Sequence, residues 1–436
     1  MRRIIVLLSA LILFVGCSST VNLNFMERPL AACDYPAALT ALQAHADELQ
    51  SAQGIIIRNL DLGMMSHFAR DYDLSNQYLG QAELKISDAY TKSFTKEAAS
   101  GFLGDNAKDY PGEDFEDIYT NVFKALNYQS MGKTQDAMVE IRRLSEKQQV
   151  LKDKYQKLLS ATNQSASANG VGNVQTNLVS VEFSQSALAS YLGMLFARQL
   201  NDTNDMKYYH RQIGEAFQTQ PNIYPFAVPS SIDEELSVPE GKARVNFVAF
   251  SGKEPVKQEN VQTIFITPEQ WMKLSFPEMV SRSPEVVKVK AKIGDQEIVL
   301  EPMESIQAIA INTFSLRKES IYNSTVIRAT LKAVGTSIIG AASHAALDDK
   351  HKRSALADLI TLFSSAVNDA TENADLRMSH FFPGQARIGG MTVDPGVYDV
   401  EIGFYNAAGK KIGEVIYQQM DIKSGALNLC EGACLR

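Results

Sequence analysis

Two apolar stripes at helical spacing, joined by a short turn, constrain the fold of this 436-residue chain more than any other feature. Apolar residues recur every three or four positions over residues 118–128 and again over residues 137–144. Gly132 and the lysine after it stand between the two stripes. The spacing therefore predicts an acidic approach and then two consecutive helices over residues 110–143.

This helix pair also matches the tetratricopeptide pattern, in which a small residue precedes an aromatic by three positions and an Ala precedes a large apolar residue by four. The matching residues are Ala125, Tyr128, Gly132, Ala137 and Ile141. Weaker matches occur at residues 59–83 and 190–221, and none of the three carries the signature Trp. We therefore expect a degenerate tetratricopeptide-like helical domain at residues 35–224, which would be a scaffold for binding.

Composition and motifs limit the classes of function. Hydrophobic residues make up 45% of the chain, which is enough to form two or three domains. The net charge is −8, whereas a general nucleic-acid binder would carry a basic surplus. The sequence contains no nucleophile elbow, Walker loop, H-E-x-x-H or G-x-G-x-x-G motif. We therefore expect a protein that is not an enzyme, binds no nucleic acid and uses no cofactor or metal.

The first sixteen residues have the features of an export signal. Arg2 and Arg3 precede an apolar run over residues 4–15, which is too short to span a bilayer comfortably. The sequence Leu-Phe-Val-Gly that leads to Cys17 resembles the lipobox of bacterial lipoproteins. That resemblance implies cleavage after residue 16, acylation of Cys17 and, because Ser18 is not Asp, an outer-membrane location. The alternative is an ordinary secretory signal with an incidental cysteine.

Changes of composition mark the expected boundaries between segments. Residues 17–34 are predicted to be a tether. Residues 160–177 are rich in Ser, Asn, Gly and Ala, which predicts a disordered loop inside the helical domain. Four prolines between residues 221 and 239 and a short acidic run predict a linker at residues 225–242. After it the apolar period changes to two, which predicts a β-rich domain at residues 243–426 and an α+β chain overall.

Within the β-rich domain we expect hairpins that turn at Gly294–Asp295 and at Ala407–Gly409. Residues 305–314 alternate in the manner of a further strand. Helical spacing returns within residues 325–371, which predicts an inserted helical hairpin. Its apolar stripe would either cover the sheet or serve as a docking surface.

Three cysteines remain once Cys17 is assigned to acylation. They are Cys33, Cys430 and Cys434, the last two in a predicted C-terminal tail at residues 427–436. Export to an oxidising compartment permits a disulfide. Cys430 and Cys434 could close a small ring, or one of them could reach Cys33, and the sequence leaves both pairings open. No His lies close to the CxxxC spacing, so a metal site is not predicted.

Polar residues of the central helix pair are the candidate binding residues. Glu113, Asp114 and Glu116 cluster before the first helix, where paired carboxylates could transfer protons but are better explained as offsetting the positive end of the helix dipole. Four more polar residues lie farther along the pair. They could hold a ligand on a concave face, or tie adjacent helices by charge-assisted hydrogen bonds. These residues are Asn127, Glu140, Arg142 and Arg143.

Four stretches together indicate a family. They are Tyr110–Glu116, Ala125–Tyr128, Val139–Arg143, and Asp375–Arg377 with Pro383. On these residues the chain resembles Gram-negative outer-membrane lipoproteins that are tetratricopeptide-like at the N-terminus. Ser379 stands where that family tends to carry a Trp. The resemblance covers most of the chain after the signal, implies no catalytic residues and leaves the biochemical role unassigned.

Three functions are compatible with these features. The first is a scaffold or adaptor, anchored by acyl chains at the periplasmic face of the outer membrane, that binds a protein partner. The second is a peptidoglycan enzyme or an activator of one. The third is a structural part of an envelope secretion or motility assembly. The export signal and the absence of catalytic motifs favour the adaptor.

Overall fold

The computed structural model describes residues 21–100, 110–168, 183–267, 270–315 and 375–436. Its helices are α1 (Asn24–Ala31), α2 (Tyr35–Ala44), α3 (Ala46–Gln53), α4 (Ile55–Phe68), α5 (Tyr72–Ser100), α6 (Asp114–Ser130), α7 (Thr134–Ala168), α8 (Ala187–Gln199), α9 (Thr203–Thr219) and the 3-10 helix Asp233–Leu236. Its strands are β1 (Ala243–Ser251), β2 (Val256–Thr267), β3 (Gln270–Val280), β4 (Lys288–Ile293), β5 (Gln296–Val299), β6 (Glu301–Glu304), β7 (Gln385–Val393), β8 (Gly396–Tyr405), β9 (Lys411–Ile422) and β10 (Asn428–Cys434). The expectation of a mixed α and β fold is confirmed.

Three helix pairs, α4–α5, α6–α7 and α8–α9, share one kind of turn. The backbone is left-handed two residues after the first helix of each pair ends: φ is 64° at Arg70, 73° at Gly132 and 58° at Asn201. In each turn the amide of the residue after the left-handed one donates a hydrogen bond to a carbonyl in the last turn of the helix. For example, Lys133 N–H donates to the Tyr128 carbonyl at 2.8 Å. This is the hydrogen-bond pattern of a Schellman cap, which satisfies the last carbonyls of the helix.

A capping box at the start of α6 explains where that helix begins. The side chain of Glu113 accepts a hydrogen bond from the third residue of the helix, and the Glu116 carboxylate accepts one from the Glu113 amide at 2.7 Å. The inward face of α6 then buries Phe115, Tyr119 and Phe123 completely. The helix therefore starts where its free amides find acceptors and its aromatic face meets the core.

The strands form two four-stranded sheets and a hairpin. The first sheet has the order β10-β1-β7-β6, with β1 parallel to β10 and antiparallel to β7. The second has the order β5-β4-β8-β9, and β2 pairs with β3. The two faces of β1 join different cores: Val248 and Phe250 pack with the helices, whereas Val245 and Phe247 pack with the second sheet. The first sheet therefore lies between a helical layer and the second sheet.

Both predicted hairpin turns are observed. Ile293 of β4 pairs with Gln296 of β5, and Tyr405 of β8 pairs with Lys411 of β9. The predicted strand at residues 305–314 is wrong, because residues 306–315 are helical. Its buried residues recur at helical spacing. They are Ile306, Ile309, Ala310, Thr313 and Phe314.

Segments predicted to lie outside the domains are packed into the fold. The tether at residues 17–34 contains α1, which buries Met26 and Leu30. The linker at residues 225–242 contains the 3-10 helix, whose Glu235 is buried in ion pairs with Arg198 and Arg244. Because the partners of these apolar and charged groups lie elsewhere in the sequence, local composition did not reveal that the two segments are packed.

The predicted tail and loop also differ from expectation. Within residues 427–436, β10 runs alongside β1 as the edge strand of the first sheet, and Cys430 and Cys434 are buried. In the predicted loop at residues 160–177, α7 continues to Ala168. Residues 169–177, the predicted helical hairpin at residues 325–371 and Cys17 lie outside the described residues.

Candidate functional site

The predicted polar residues do not form one site. Asn127 lies where α4, α5 and α6 meet: its side-chain oxygen is 2.7 Å from Nδ1 of His67, and its amide nitrogen donates to Ser75 Oγ at 2.9 Å. His67 Nε2 lies 2.6 Å from Glu431 of β10. Burial opposes protonation of His67, but the adjacent Glu431 carboxylate raises its pKa above the ordinary value. Asn127 therefore ties helices together and, through His67, to the first sheet.

Glu140 lies in a second cluster, between α5, α6 and α7. Its buried carboxylate accepts hydrogen bonds from Asn121 at 2.6 Å and Arg143 at 2.8 Å, and it lies 3.0 Å from Lys124 Nζ. Lys124 also pairs with Glu83 at 2.7 Å. These contacts match the second alternative from the sequence, in which charge-assisted hydrogen bonds tie adjacent helices together.

Glu113 lies in a third place, with Asp114 beside it as the first residue of α6. Glu113 is 2% exposed, and its carboxylate lies 2.5 Å from Nζ of Lys257 on β2. The adjacent Glu116 accepts hydrogen bonds from the Tyr110 hydroxyl and the Ser379 amide, each at 2.7 Å. The cluster therefore joins α6 to the β-rich part of the chain, and Glu113 offers no open carboxylate to a substrate.

The buried carboxylate of Glu304 has no counterpart among the sequence predictions. It accepts hydrogen bonds from the hydroxyls of Tyr119 at 2.5 Å, Tyr224 at 2.7 Å and Ser186 at 2.8 Å, and from the Leu188 amide at 3.1 Å. Burial raises the pKa of Glu304 above its ordinary value. Two donors lie in α6 and α8, a third lies just before α8, and the fourth follows α9. Because these segments are far apart in the sequence, no local pattern could have indicated the site.

A second unpredicted carboxylate, Glu254, lies at the turn after β1. The residue is 0% exposed, and in the part of the chain that the structure describes neither oxygen has a hydrogen-bond partner outside its own residue. Burial raises its pKa to about 8, although the charge of Arg282 opposes that rise. His380 and Asp61 face it as a pair whose Nδ1 and Oδ2 atoms are 2.6 Å apart.

A groove between α7, α8 and α9 is the candidate binding site. Its volume of about 90 Å³ is smaller than the roughly 300–1,000 Å³ of pockets that hold whole small molecules, so it fits a side chain. Its lining residues are uncharged. They are Ile141, Leu144, Ser145, Gln148, Gln149, Ser184, Gln185, Ser186, Ala189, Ser190, Tyr208, Tyr209 and Gln212.

The amide of Gln148 distinguishes this groove from the helix-tying clusters. Gln148 is 5% exposed, and among the described residues its Nε2 has no acceptor. Across the groove, Gln185 Nε2 donates to Gln212 Oε1 at 2.6 Å. Leaving a buried donor unpaired costs about 1–3 kcal/mol, which a ligand oxygen in the groove would offset.

Arg142, another predicted binding residue, stands next to this groove. Its guanidinium lies 3.1 Å from Asp205 of α9 and also interacts with Tyr209, a lining residue. Arg142 therefore connects the two walls formed by α7 and α9. Sequence reasoning identified Arg142 but missed Gln148, because a lone Gln on an amphipathic helix carries no distinctive signal.

The predicted ring between Cys430 and Cys434 is excluded by the strand that carries both. Four residues along a strand span about 13 Å, whereas disulfide-linked Cα atoms lie about 4.4–6.8 Å apart. Cys430 Sγ instead lies 3.4 Å from the Met420 sulfur. No grouping of metal-ligating side chains is present within the described ranges.

None of the helices among the described residues is long and apolar enough to cross a membrane. No family model, curated protein or solved structure matches this chain. Its function is therefore inferred from its own residues.

Proposed function

We propose that this chain is a lipid-anchored adaptor at the periplasmic face of the outer membrane, and that the groove between α7, α8 and α9 binds an extended segment of a protein partner. The observation that carries the proposal is Gln148, which lines a groove of side-chain size and whose buried amide nitrogen has no acceptor among the described residues. A peptide carbonyl or side-chain oxygen is the acceptor that it fits.

The lining of the groove supports a peptide over a charged metabolite. Serine hydroxyls and glutamine amides both donate and accept, which suits the alternating N–H and C=O groups of an extended backbone. Ile141 and Leu144 supply an apolar floor for one side chain of the bound segment. None of the described residues that line the groove is charged, so none of them would form an ion pair with a phosphate or carboxylate.

The repeated turns support a tetratricopeptide-like reading of the helices. Arg70, Gly132 and Asn201 follow the first helix of successive pairs in the same left-handed conformation. Gly63 and Gly193 stand where the paired helix comes closest: an added Cβ would lie 2.6 Å from Leu79 and 2.9 Å from Tyr209. Stacked helix pairs of this kind create concave surfaces that bind extended partners.

The anchor is supported by the sequence that leads to Cys17. Several acyl chains at one residue give stable attachment, because each buried CH2 contributes roughly 0.8 kcal/mol. The described chain begins at Val21, and α1 follows from Asn24. At about 3.5 Å for each extended residue, the four steps from Cys17 to Val21 would hold the folded body within about 14 Å of the lipid surface.

A peptidoglycan enzyme has less support than the adaptor. Of the carboxylate cluster that could transfer protons, Glu113 is buried and ion-paired to Lys257, and Glu116 is buried in hydrogen bonds. A structural part of an envelope machine would require an ordered oligomer, and the described surface offers no specific observation that favours one.

Site-specific photo-crosslinking in intact envelopes tests the groove. A photoreactive residue at Gln149, which is exposed and lines the groove, should capture a defined protein. The same group at Leu84, an exposed position of α5, is the matched control and should not capture that protein.

The variant Gln148→Leu separates binding from folding. It removes the unpaired donor at nearly constant volume, so stability should stay the same or rise, while the crosslinked product should fall at least tenfold. Equal capture from Gln149 and Leu84, or capture that survives in Gln148→Leu, would refute the groove as the binding site.

A further inference from the structure

Two thiols that are far apart in the sequence meet at one edge of the fold. Sγ of Cys33, just after α1, lies 3.1 Å from Sγ of Cys434 at the end of β10. Both cysteines are free thiols in the structure. The contact joins the first described helix to the last strand.

Other bonds hold the two cysteines together, so their meeting does not depend on the thiols. The Tyr35 hydroxyl accepts a hydrogen bond from the Leu435 amide at 3.1 Å. Arg436 donates to the Ala31 carbonyl at 3.2 Å. Cys33 itself follows the C-cap residue of α1 and has left-handed backbone, with φ of 53°.

Gly413 of β9 leaves space for the pair of sulfur atoms. A Cβ atom at this position would lie 3.0 Å from Sγ of Cys33 and 3.0 Å from Sγ of Cys434. The backbone of Gly413 is not in the left-handed region, so its conformation does not require glycine. A side chain at this position would instead fill the space that the two sulfur atoms occupy.

The two thiols differ in reactivity. Cys33 is half-buried, and its pKa is lowered by the hydrogen bond between its sulfur and that of Cys434 and by the nearby charge of Arg436. The same hydrogen bond and burial raise the pKa of Cys434. Cys33 is therefore the thiolate that an outside reagent meets first.

We propose that Cys33 and Cys434 form a disulfide that clamps α1 to the end of β10, made by thiol–disulfide exchange with a protein disulfide of the periplasm. The Cys33 thiolate attacks one sulfur of the oxidant and releases the other as a thiolate. Cys434 then loses its proton and attacks Cys33, releasing the second thiolate of the oxidant. The two cysteines lose two protons and two electrons, and the oxidant disulfide is reduced to two thiols.

Cys430 takes no part in this exchange. Its sulfur is buried against Met420, and burial raises its pKa to about 12. It therefore provides an internal control. In the cell the oxidant depends on the proposed export of the chain, but the pairing itself can be tested on purified protein with oxidised glutathione as the oxidant.

Peptide mapping of the full chain after oxidation tests the pairing. Purified protein is treated with oxidised glutathione, unfolded, alkylated without reduction and digested. The expected result is one crosslinked peptide pair that contains Cys33 and Cys434, with Cys430 alkylated. Cys430→Ser should leave the crosslink unchanged, and Cys434→Ser should trap Cys33 as a mixed disulfide with glutathione.

Gly413→Ala tests the geometry without removing a thiol, and should lower the rate of crosslinking at least tenfold. Alkylation of all three cysteines after oxidation, or a crosslink that contains Cys430, would overturn the proposal.

Mapping of protein taken directly from cells tests export separately. If the pair is reduced in cells but crosslinks in vitro, the pairing stands and the proposed periplasmic location fails.

Discussion

Replacing Glu254 with Gln should raise the free energy of unfolding at neutral pH and leave it unchanged in acid. Glu254 is fully buried, and no other described residue forms a hydrogen bond with its carboxylate. Its pKa rises from the ordinary 4.5 to about 8 because burial penalises the charged form. Gln has nearly the same shape as the protonated acid but carries no proton that can be lost.

The magnitude follows from the difference in pKa between the folded and unfolded states. Below pH 4.5 both states hold the proton, so the carboxyl does not affect the pH dependence of stability. Between pH 4.5 and pH 8 only the folded state holds it, and stability falls by up to about 1.4 kcal/mol for each pH unit. Wild-type protein should therefore be less stable than Glu254→Gln by about 3 kcal/mol at pH 7 and by about 4 kcal/mol at pH 8.

Urea denaturation from pH 4.5 to pH 8.5 measures this difference. The free energies of unfolding of the two proteins should coincide at the acid end and diverge as the pH rises, with the m-value unchanged. Glu240→Gln, at an exposed position, is the matched control and should follow wild type throughout. A gap between Glu254→Gln and wild type that is constant across the pH range would refute the linkage argument.

Three further changes test other parts of the molecule. Ala137→Leu should lower the free energy of unfolding by about 1–3 kcal/mol, because Ala137 is fully buried between helices; an unchanged Tm would contradict close packing there. Asn127→Ala should cost about 1–3 kcal/mol, because His67 and Ser75 lose a buried partner, and denaturant unfolding measures the loss. Cys17→Ser should abolish acyl-chain labelling and leave an uncleaved or soluble protein; mature protein that still fractionates with the outer membrane would exclude the lipid anchor.

Local signals predicted the local parts of the fold. The helices on either side of Gly132 and the hairpin turns near Gly294 and Gly409 depend on residues a few positions apart. Each of these glycines has positive φ, which glycine adopts readily. Such elements can be inferred from spacing and turn residues alone.

Elements that depend on distant partners were not predicted. The run over residues 306–315 is apolar enough to suit a strand or a helix, and in the fold it is a helix that buries one face. α1 and β10 are short, and the chain around each contacts the other: Arg436 donates to the Ala31 carbonyl, and Cys434 lies against Cys33. Short segments of this kind carry too little pattern to reveal a partner 400 residues away.

The candidate site was only partly accessible from sequence for the same reason. Arg142 was identified, but Glu140 and Asn127 proved to tie helices. Gln148 became a candidate only when its buried amide was found without an acceptor among the described residues. Whether a polar residue binds its own chain or is left for a ligand depends on packing in three dimensions.

The pairing of β10 with β1 also governs when the molecule can fold. Val245 of β1 pairs with Asn428, so one side of β1 stays unpaired until residues 428–434 have been synthesised. An open strand edge is a template for pairing with other chains, and such long-range contacts form slowly. A chain that lacks β10 therefore leaves one side of β1 free to pair with another chain. A premature stop before residue 428 would remove a strand of the sheet rather than trim a loose end.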